Sequence, residues 1–283
     1  MSSVTAAPAG ASSGHSANSF FSRDTGTLVL GTTAAPAIRL HGARVLFEGA
    51  ALFDGLTLDL AAGRTTCLLG PSGVGKTSLL RVVAGLLAPE AGAVLTASDN
   101  QPLAGRIAYM AQTDLLLPWL DVLGNAILGP RLRGDAAAEA QARRRATALL
   151  QDVGLGERLT TRPDTLSGGM RQRVALVRTL VEDRPVVLMD EPFGGLDAIS
   201  RLQLQDLAAR LLAGRTVLLV THDPLEAARL GHRIHVMAGT PASLDTAWEP
   251  SGSVPRPATD PAVLATQAEL LRRLADATVG GAA

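Results

Sequence analysis

Lysine is almost absent from this sequence: of its 26 basic residues one is a lysine, Lys76, and all the others are arginine. A general bias toward arginine accounts for the others but not for position 76, where a compact point charge on a flexible stem replaces a planar fork. Cysteine is as scarce. The single Cys67 excludes a disulfide framework within the chain and any multi-thiolate zinc site, accords with a reducing compartment, and reads as a small buried hydrophobe. No run of about 20 apolar residues occurs, because arginine, aspartate or a Gly/Pro cluster interrupts each candidate, so no transmembrane span is expected. Nor does a basic stretch lead into an apolar one near the N-terminus, so no secretory signal is expected. Net charge is also missing: 26 basic and 26 acidic side chains cancel, and no global field draws the chain onto nucleic acid or an anionic membrane.

What is present is material for a core. The 283 residues are 47% hydrophobic and 18% charged, enough for one large domain or two small ones at about 150 residues each. Residues 1–36, rich in Ala, Ser, Gly and Thr and without periodicity, are expected to form a disordered tail. Short strand-like runs follow at Ala37–Leu40, Ala43–Phe47 and Leu56–Leu60, predicting an antiparallel sheet. The run Thr65–Leu69, a glycine-rich turn and a helical pattern over Thr77–Leu87 then read as strand, loop and helix, with Leu79, Leu80, Val83, Leu86 and Leu87 on one face. Further strands are expected at Val186–Met189 and Thr216–Thr221, the latter leading into a helix over Pro224–Leu230. Strands alternating with helices predict an α/β fold with a mainly parallel sheet, and Ala136–Asp152 and Gly168–Leu180 predict an inserted helical subdomain at about 113–181. The main domain is expected over 37–237 and an extension over 238–283, in which Asp260 and Pro261 open an amphipathic helix to about Leu274 that braces the core.

Three segments carry chemistry. Gly70-Pro71-Ser72-Gly73-Val74-Gly75-Lys76-Thr77 satisfies the P-loop pattern between a predicted strand and helix, where glycines let backbone N–H groups cradle a polyphosphate, Lys76 reaches the β and γ phosphates, and the Thr77 hydroxyl ligates magnesium. At Val186–Glu191 an apolar strand ends in two carboxylates whose side chains point oppositely, which assigns Asp190 to the metal and Glu191 to the attacking water as candidate general base. His222 follows the next strand, where open α/β sheets place ligand-binding groups. In Leu166-Ser-Gly-Gly-Met170-Arg-Gln-Arg173, a Ser-Gly-Gly helix start is a second anion-binding end, so one chain holds two half-sites.

Together these residues resemble the ATP-binding subunit of ATP-binding cassette (ABC) transporters, over roughly Ala37 to Met237, with Leu166–Gln172 as the discriminating segment. The resemblance implies that ATP and Mg2+ are bound by Gly70 to Ser78 together with Asp190, and that Phe47 stacks on adenine. It implies that Gln112 senses the γ phosphate and metal, that Glu191 polarises water and that His222 clamps the γ phosphate. It further implies that Ser167, Gly168 and Gly169 contact ATP held by a second copy, that Asp197 crosses the interface, and that two ATP molecules lie within an antiparallel homodimer. Met170 and Phe47 depart from the residues frequent at those positions, Gln and Tyr, without removing a phosphate ligand.

After Gln112 the segment Thr-Asp-Leu-Leu-Leu-Pro-Trp-Leu is similar to importer subunits of the nitrate, sulfonate, taurine and thiamine-precursor group, and implies that Leu115–Leu117 and Trp119 dock a permease helix. The stretch around Pro255, Arg256 and Asp260–Leu274 resembles the thiamine-precursor branch. The expected protein is therefore a peripheral ATPase on the cytoplasmic face of the inner membrane, partnered by a permease and indirectly by a solute-binding protein, without nucleic acid. A soluble cassette ATPase of translation or DNA maintenance shares the motifs but is expected to show a basic face. A non-cassette P-loop kinase, or a mere nucleotide-binding scaffold, does not need Leu166–Gln172.

Overall fold

A computed structural model of the chain describes residues 35–90 and 92–280. Alternating burial builds its first sheet. β1 (Ile38–Phe47) turns Ile38, Leu40, Ala43 and Val45 inward, and β2 (Ala50–Leu60) does the same with Phe53, Leu56, Leu58 and Leu60. The two pair as a hairpin, and a strand over Val94–Ala97, β4, lies antiparallel on the other side of β1. The runs Ala37–Leu40 and Ala43–Phe47, expected as separate strands, are one strand: register shifts after Leu40 absorb Gly42, whose φ of 67° suits only glycine well.

The second sheet has the order β5-β6-β7-β3-β8-β9, built from β3 (Thr65–Leu69), β5 (Ile107–Met110), β6 (Val186–Asp190), β7 (Thr216–Val220), β8 (Arg233–Gly239) and β9 (Ala242–Leu244). Its first five strands run parallel and β9 is antiparallel to β8. Every residue of β6 and β7 is buried, as expected of strands covered on both faces. Leu68, Val186, Leu188, Leu218 and Val220 meet the first sheet's apolar residues and the helix α1 (Lys76–Val83). Cys67, Leu69, Val187, Met189, Val217 and Leu219 belong to the core on the opposite side.

Between β5 and β6 lie α2 (Val122–Ala126), α3 (Leu128–Leu132), α4 (Ala136–Asp152) and α5 (Gly168–Val181). α6 (Ala198–Leu211) and α7 (Pro224–Leu230) follow on the same side of the sheet. α1 stops four residues short of the expected Leu87: the N–H groups of Leu86 and Leu87 turn back to the carbonyl of Arg81 around Gly85, at φ 71°. Leu86 is consequently exposed instead of sharing the buried face. α8 (Pro261–Gly280) runs beyond the expected Leu274, its last turns carrying an Arg272–Asp276 pair at 2.8 Å. It buries Val263 and Leu270 and packs on α7 and β8, the expected brace. Of the segment expected to be a tail, residues 1–34 lie outside the described residues, while Pro36 is tied to the sheet, its carbonyl accepting from Thr216 Oγ1 at 2.7 Å.

Candidate functional site

Four neighbouring parallel strands, β5, β6, β7 and β3, end at one edge of the sheet, and the candidate residues stand on those ends. β3 runs into Gly70, where a Cβ would collide with the carbonyl oxygen of Met237 in β8. At Gly75, φ 108°, a Cβ would stand 3.0 Å from Leu52 of β2. The phosphate loop therefore lies beside the β1–β2 hairpin, which carries Phe47 65% exposed. Gly73, φ 81°, completes the turn, Ser72 is exposed, Val74 packs at the edge of the core, and Ser78 is half-buried in α1. Gly75 caps α1 with no side-chain bond and no acid follows in the first turn, so the helix's free N–H groups and partial positive charge face the loop.

Lys76 is buried and donates from Nζ to the carbonyls of Gly70 and Pro71, both at 2.8 Å. Burial lowers its pKa, while Glu191 and Asp190 act the other way. Thr77 Oγ1 donates to Asp190 Oδ2 at 2.7 Å. Burial raises the Asp190 carboxyl, against that hydrogen bond and the charge of Lys76.

Glu191, the next residue, faces elsewhere. Its φ of 47° is left-handed, at a cost of about 1 kcal/mol for a residue with a side chain. Its Oε2 accepts from Gln112 Nε2 at 3.3 Å, and its Oε1 lies 3.2 Å from His222 Nδ1. Gln112, also expected at the metal, leaves β5, the strand adjacent to β6, and its described side-chain contact is with Glu191.

The residues expected to form a second anion-binding end are a separate group. Ser167 caps α5, accepting from the N–H of Met170 at 3.3 Å, with Gly168 and Gly169 in the first turn. A Cβ on Gly169 would lie 3.2 Å from Leu196 Cδ2, so this helix start abuts the loop before α6. Asp197 caps α6, and hydrogen bonding from the Ser200 side chain, then from the Ser200 N–H at 2.9 Å, holds its carboxyl below the usual range. Among the described residues no hydrogen bond or ion pair joins this group to Gly70–Thr77.

A third group surrounds the loop after Gln112. Leu115 and Trp119 are 62% and 64% exposed, whereas Leu116 and Leu117 are half-buried. The loop's backbone is nevertheless fixed. Buried Asn125 donates to Leu117 and Leu120 carbonyls and accepts from Leu117 N–H at 2.7 Å. Arg178 donates to the carbonyls of Asp114 and Leu115, and Arg171 joins the Asp114 carboxylate at 2.9 Å to the Leu166 carbonyl at 2.8 Å. Sequence reasoning gave these residues no role, although Asp114, an acid beside an apolar cluster two residues after Gln112, was a readable signal.

The family model for ABC transporters matches residues 53–194. The chain belongs to the ABC transporter family. An uncharacterised ABC transporter ATP-binding protein of Haemophilus influenzae is 41% identical over 241 residues, covering 84% of this chain and 98% of the relative. The aliphatic sulfonates import ATP-binding protein SsuB of Delftia acidovorans is 42% identical, covering 85% and 95%. Among solved structures, a dimeric ATP-binding cassette, MJ0796, in a post-hydrolysis state bound to ADP and Pi is 26% identical with a TM-score of 0.66, covering 76% of this chain and 100% of the other.

The chain is thus an ABC ATPase that binds ATP. Its residues also fit a magnesium ion. Mg2+ takes hard oxygen donors, typically one or two carboxylates together with substrate phosphates, and Thr77 Oγ1 and Asp190 Oδ2 already stand 2.7 Å apart beside the loop.

Proposed function

We propose that this ABC ATPase is the energy-supplying subunit of an importer for a small organic anion of the sulfonate type. In this reading it works as a homodimer beneath a permease at the cytoplasmic face of the membrane. The observation that carries the catalytic part is the convergence of Gln112, Glu191 and His222 from the ends of three adjacent strands, beside the Lys76–Thr77–Asp190 group. Sulfonate-type cargo is favoured by relatives named for aliphatic sulfonates import. No described helix is long and apolar enough to cross a membrane.

Within this reading each group has one task. Phe47 offers its exposed ring to adenine. The N–H groups from Gly70 to Ser78 surround the phosphates, and Lys76 exchanges its two carbonyl partners for β and γ oxygens. Thr77 and Asp190 hold Mg2+, which when bound draws charge off the β and γ phosphate oxygens. Glu191 orients the attacking water and accepts its proton at a carboxylate oxygen; His222 sets that carboxylate from one side and faces the γ phosphate. Gln112 reads the same carboxylate from the other side and continues into the Asp114–Trp119 loop, where Leu115–Leu117 and Trp119 seat a permease helix.

Ser167, Gly168 and Gly169 form the remaining anion-binding end, supplied to the ATP of a second copy, with Asp197 at the same interface. Their separation from the chain's own phosphate loop supports this pairing, as does the dimeric form of MJ0796. ATP closes the pair, closure moves the permease, and hydrolysis resets both.

Purification of the tagged chain from its native membranes, with and without Trp119→Ser, tests the assignment. A permease and a solute-binding protein are expected with the parent chain, and the ligand of the latter names the solute. Ribosomes, DNA or no partner would instead favour a soluble cassette ATPase.

A further inference from the structure

We propose that Gln172 is a positioning residue for hydrolysis, holding the backbone from which Glu191 projects; the proposal rests on the reading of Glu191 as the carboxylate that orients water. Gln172 lies in α5, only 8% exposed, and its Nε2 donates to the carbonyls of Glu191 at 3.3 Å and Pro192 at 3.2 Å. Both partners are acceptors, so only the NH2 end of the amide can face them.

Glu191 needs such a hold. It occupies the left-handed region, and strained backbone of this kind persists only where its surroundings over-determine it. Its N–H is fixed by the Val220 carbonyl of β7 at 2.9 Å. Its carbonyl is held from the turn by Gly194 N–H at 3.2 Å and from outside the turn by Gln172. Removing the Gln172 donor leaves the peptide plane after Glu191 held by the Gly194 bond alone, with no anchor outside the turn. Rotation there swings Cα–Cβ and carries the carboxylate away from His222 and Gln112, and a misplacement of about 1 Å can cost on the order of 100-fold in rate.

The position of Gln172 also decides what it transmits. Its neighbour Arg171 grips Asp114 of the loop bearing Trp119, and the helix they share begins at Ser167. A turn of α5 imposed at either place reaches Glu191 through the Gln172 amide without passing through Gln112.

The test compares three variants of the full chain in steady-state ATP hydrolysis: Gln172→Met, of similar length without donors; Gln172→Glu, a donor only when protonated; and Glu191→Gln. Gln172→Met is expected to lower kcat about tenfold with KM for ATP within about twofold and the melting temperature close to the parent's. Gln172→Glu is expected to be as impaired at alkaline pH and to recover, relative to the parent, as the pH falls and its carboxyl regains a proton. The proposal is overturned if Gln172→Met keeps its kcat, if kcat and KM worsen together, or if the Gln172→Glu profile runs parallel to the parent's. Should Gln172→Met not fold, the Gln172→Glu profile decides. Normal turnover by Glu191→Gln would remove the reading of Glu191 itself, whereas an inactive Glu191→Gln beside a fully active Gln172→Met would remove only the role of Gln172.

Discussion

The phosphate loop and the loop from Asp114 to Trp119 are both irregular segments at the same edge of the sheet, and they are fastened from opposite directions. In the first, the fastening group belongs to the loop: Lys76 folds onto the carbonyls of Gly70 and Pro71, while glycines keep bulk off a surface of N–H groups. In the second, the fastening comes from outside, through Asn125, Arg171 and Arg178, and the loop spends its own large side chains outward. A fixed backbone is common to both. What it displays differs, peptide hydrogens suited to an anion in one case and apolar surface suited to a helix in the other.

The largest expected effect breaks the first loop. Lys76→Arg places a longer, forked cation where two carbonyls and buried surroundings accommodate a point charge, and ATP affinity is expected to fall by about 100-fold in a nucleotide titration. Unchanged affinity would show that the loop tolerates any cation. Next, Trp119→Ser should reduce recovery of the permease by about tenfold or more, as for an aromatic interface anchor. Its melting temperature should hold, because the ring is 64% exposed and supports no core. A drop in stability without loss of the permease would make Trp119 structural and erase the contrast.

The smallest effect separates two buried carboxyls. Asp190 has Thr77 and Lys76 to offset its burial. Glu226, in α7, is 4% exposed, its Oε1 has no hydrogen-bond partner, and burial together with the charge of Asp223 pushes its pKa up to about 8. The folded pKa lies above the ordinary value of 4.5, so the folded state holds the proton more firmly. The stabilisation is full below pH 4.5 and is lost as pH rises through about 8. Denaturation midpoints of the parent should decline across that window, and those of Glu226→Gln should decline less; parallel curves would exclude Glu226 as the source.

Much of this arrangement was readable before any coordinates. β3, the glycine loop and α1 were legible because the P-loop pattern fixes both a turn and its flanking elements. Strand alternation is the basis on which the sequence divides Asp190 from Glu191; the structure does send them to different partners, but through a left-handed turn at Glu191, one residue past β6. β8 was passed over, although Ile234 and Val236 buried beside half-exposed Arg233 and His235 are a strand's alternation. α6 carries little sequence signal, because its buried face, with Leu204, Leu207 and Ala208, is narrow and its cap, Asp197, also fits the role the resemblance implies. The order of the strands, with β3 between β7 and β8, is a long-range choice that no local pattern contains. Nor could spacing show that Gln172, 19 positions before Glu191, reaches its carbonyl.

The scarcity of lysine also shapes what reagents and modifying enzymes can do to this protein. Lys76 is the only side-chain amine in the chain, it lies in the phosphate loop, and burial leaves a larger share of it neutral and nucleophilic than an exposed lysine would have. The outer surface therefore presents no lysine to acetylation or to ubiquitin-like attachment. Apart from the α-amino group, an acylating probe finds one target; in the proposed site bound nucleotide would shield it, and the mass of the intact chain would count occupied sites directly.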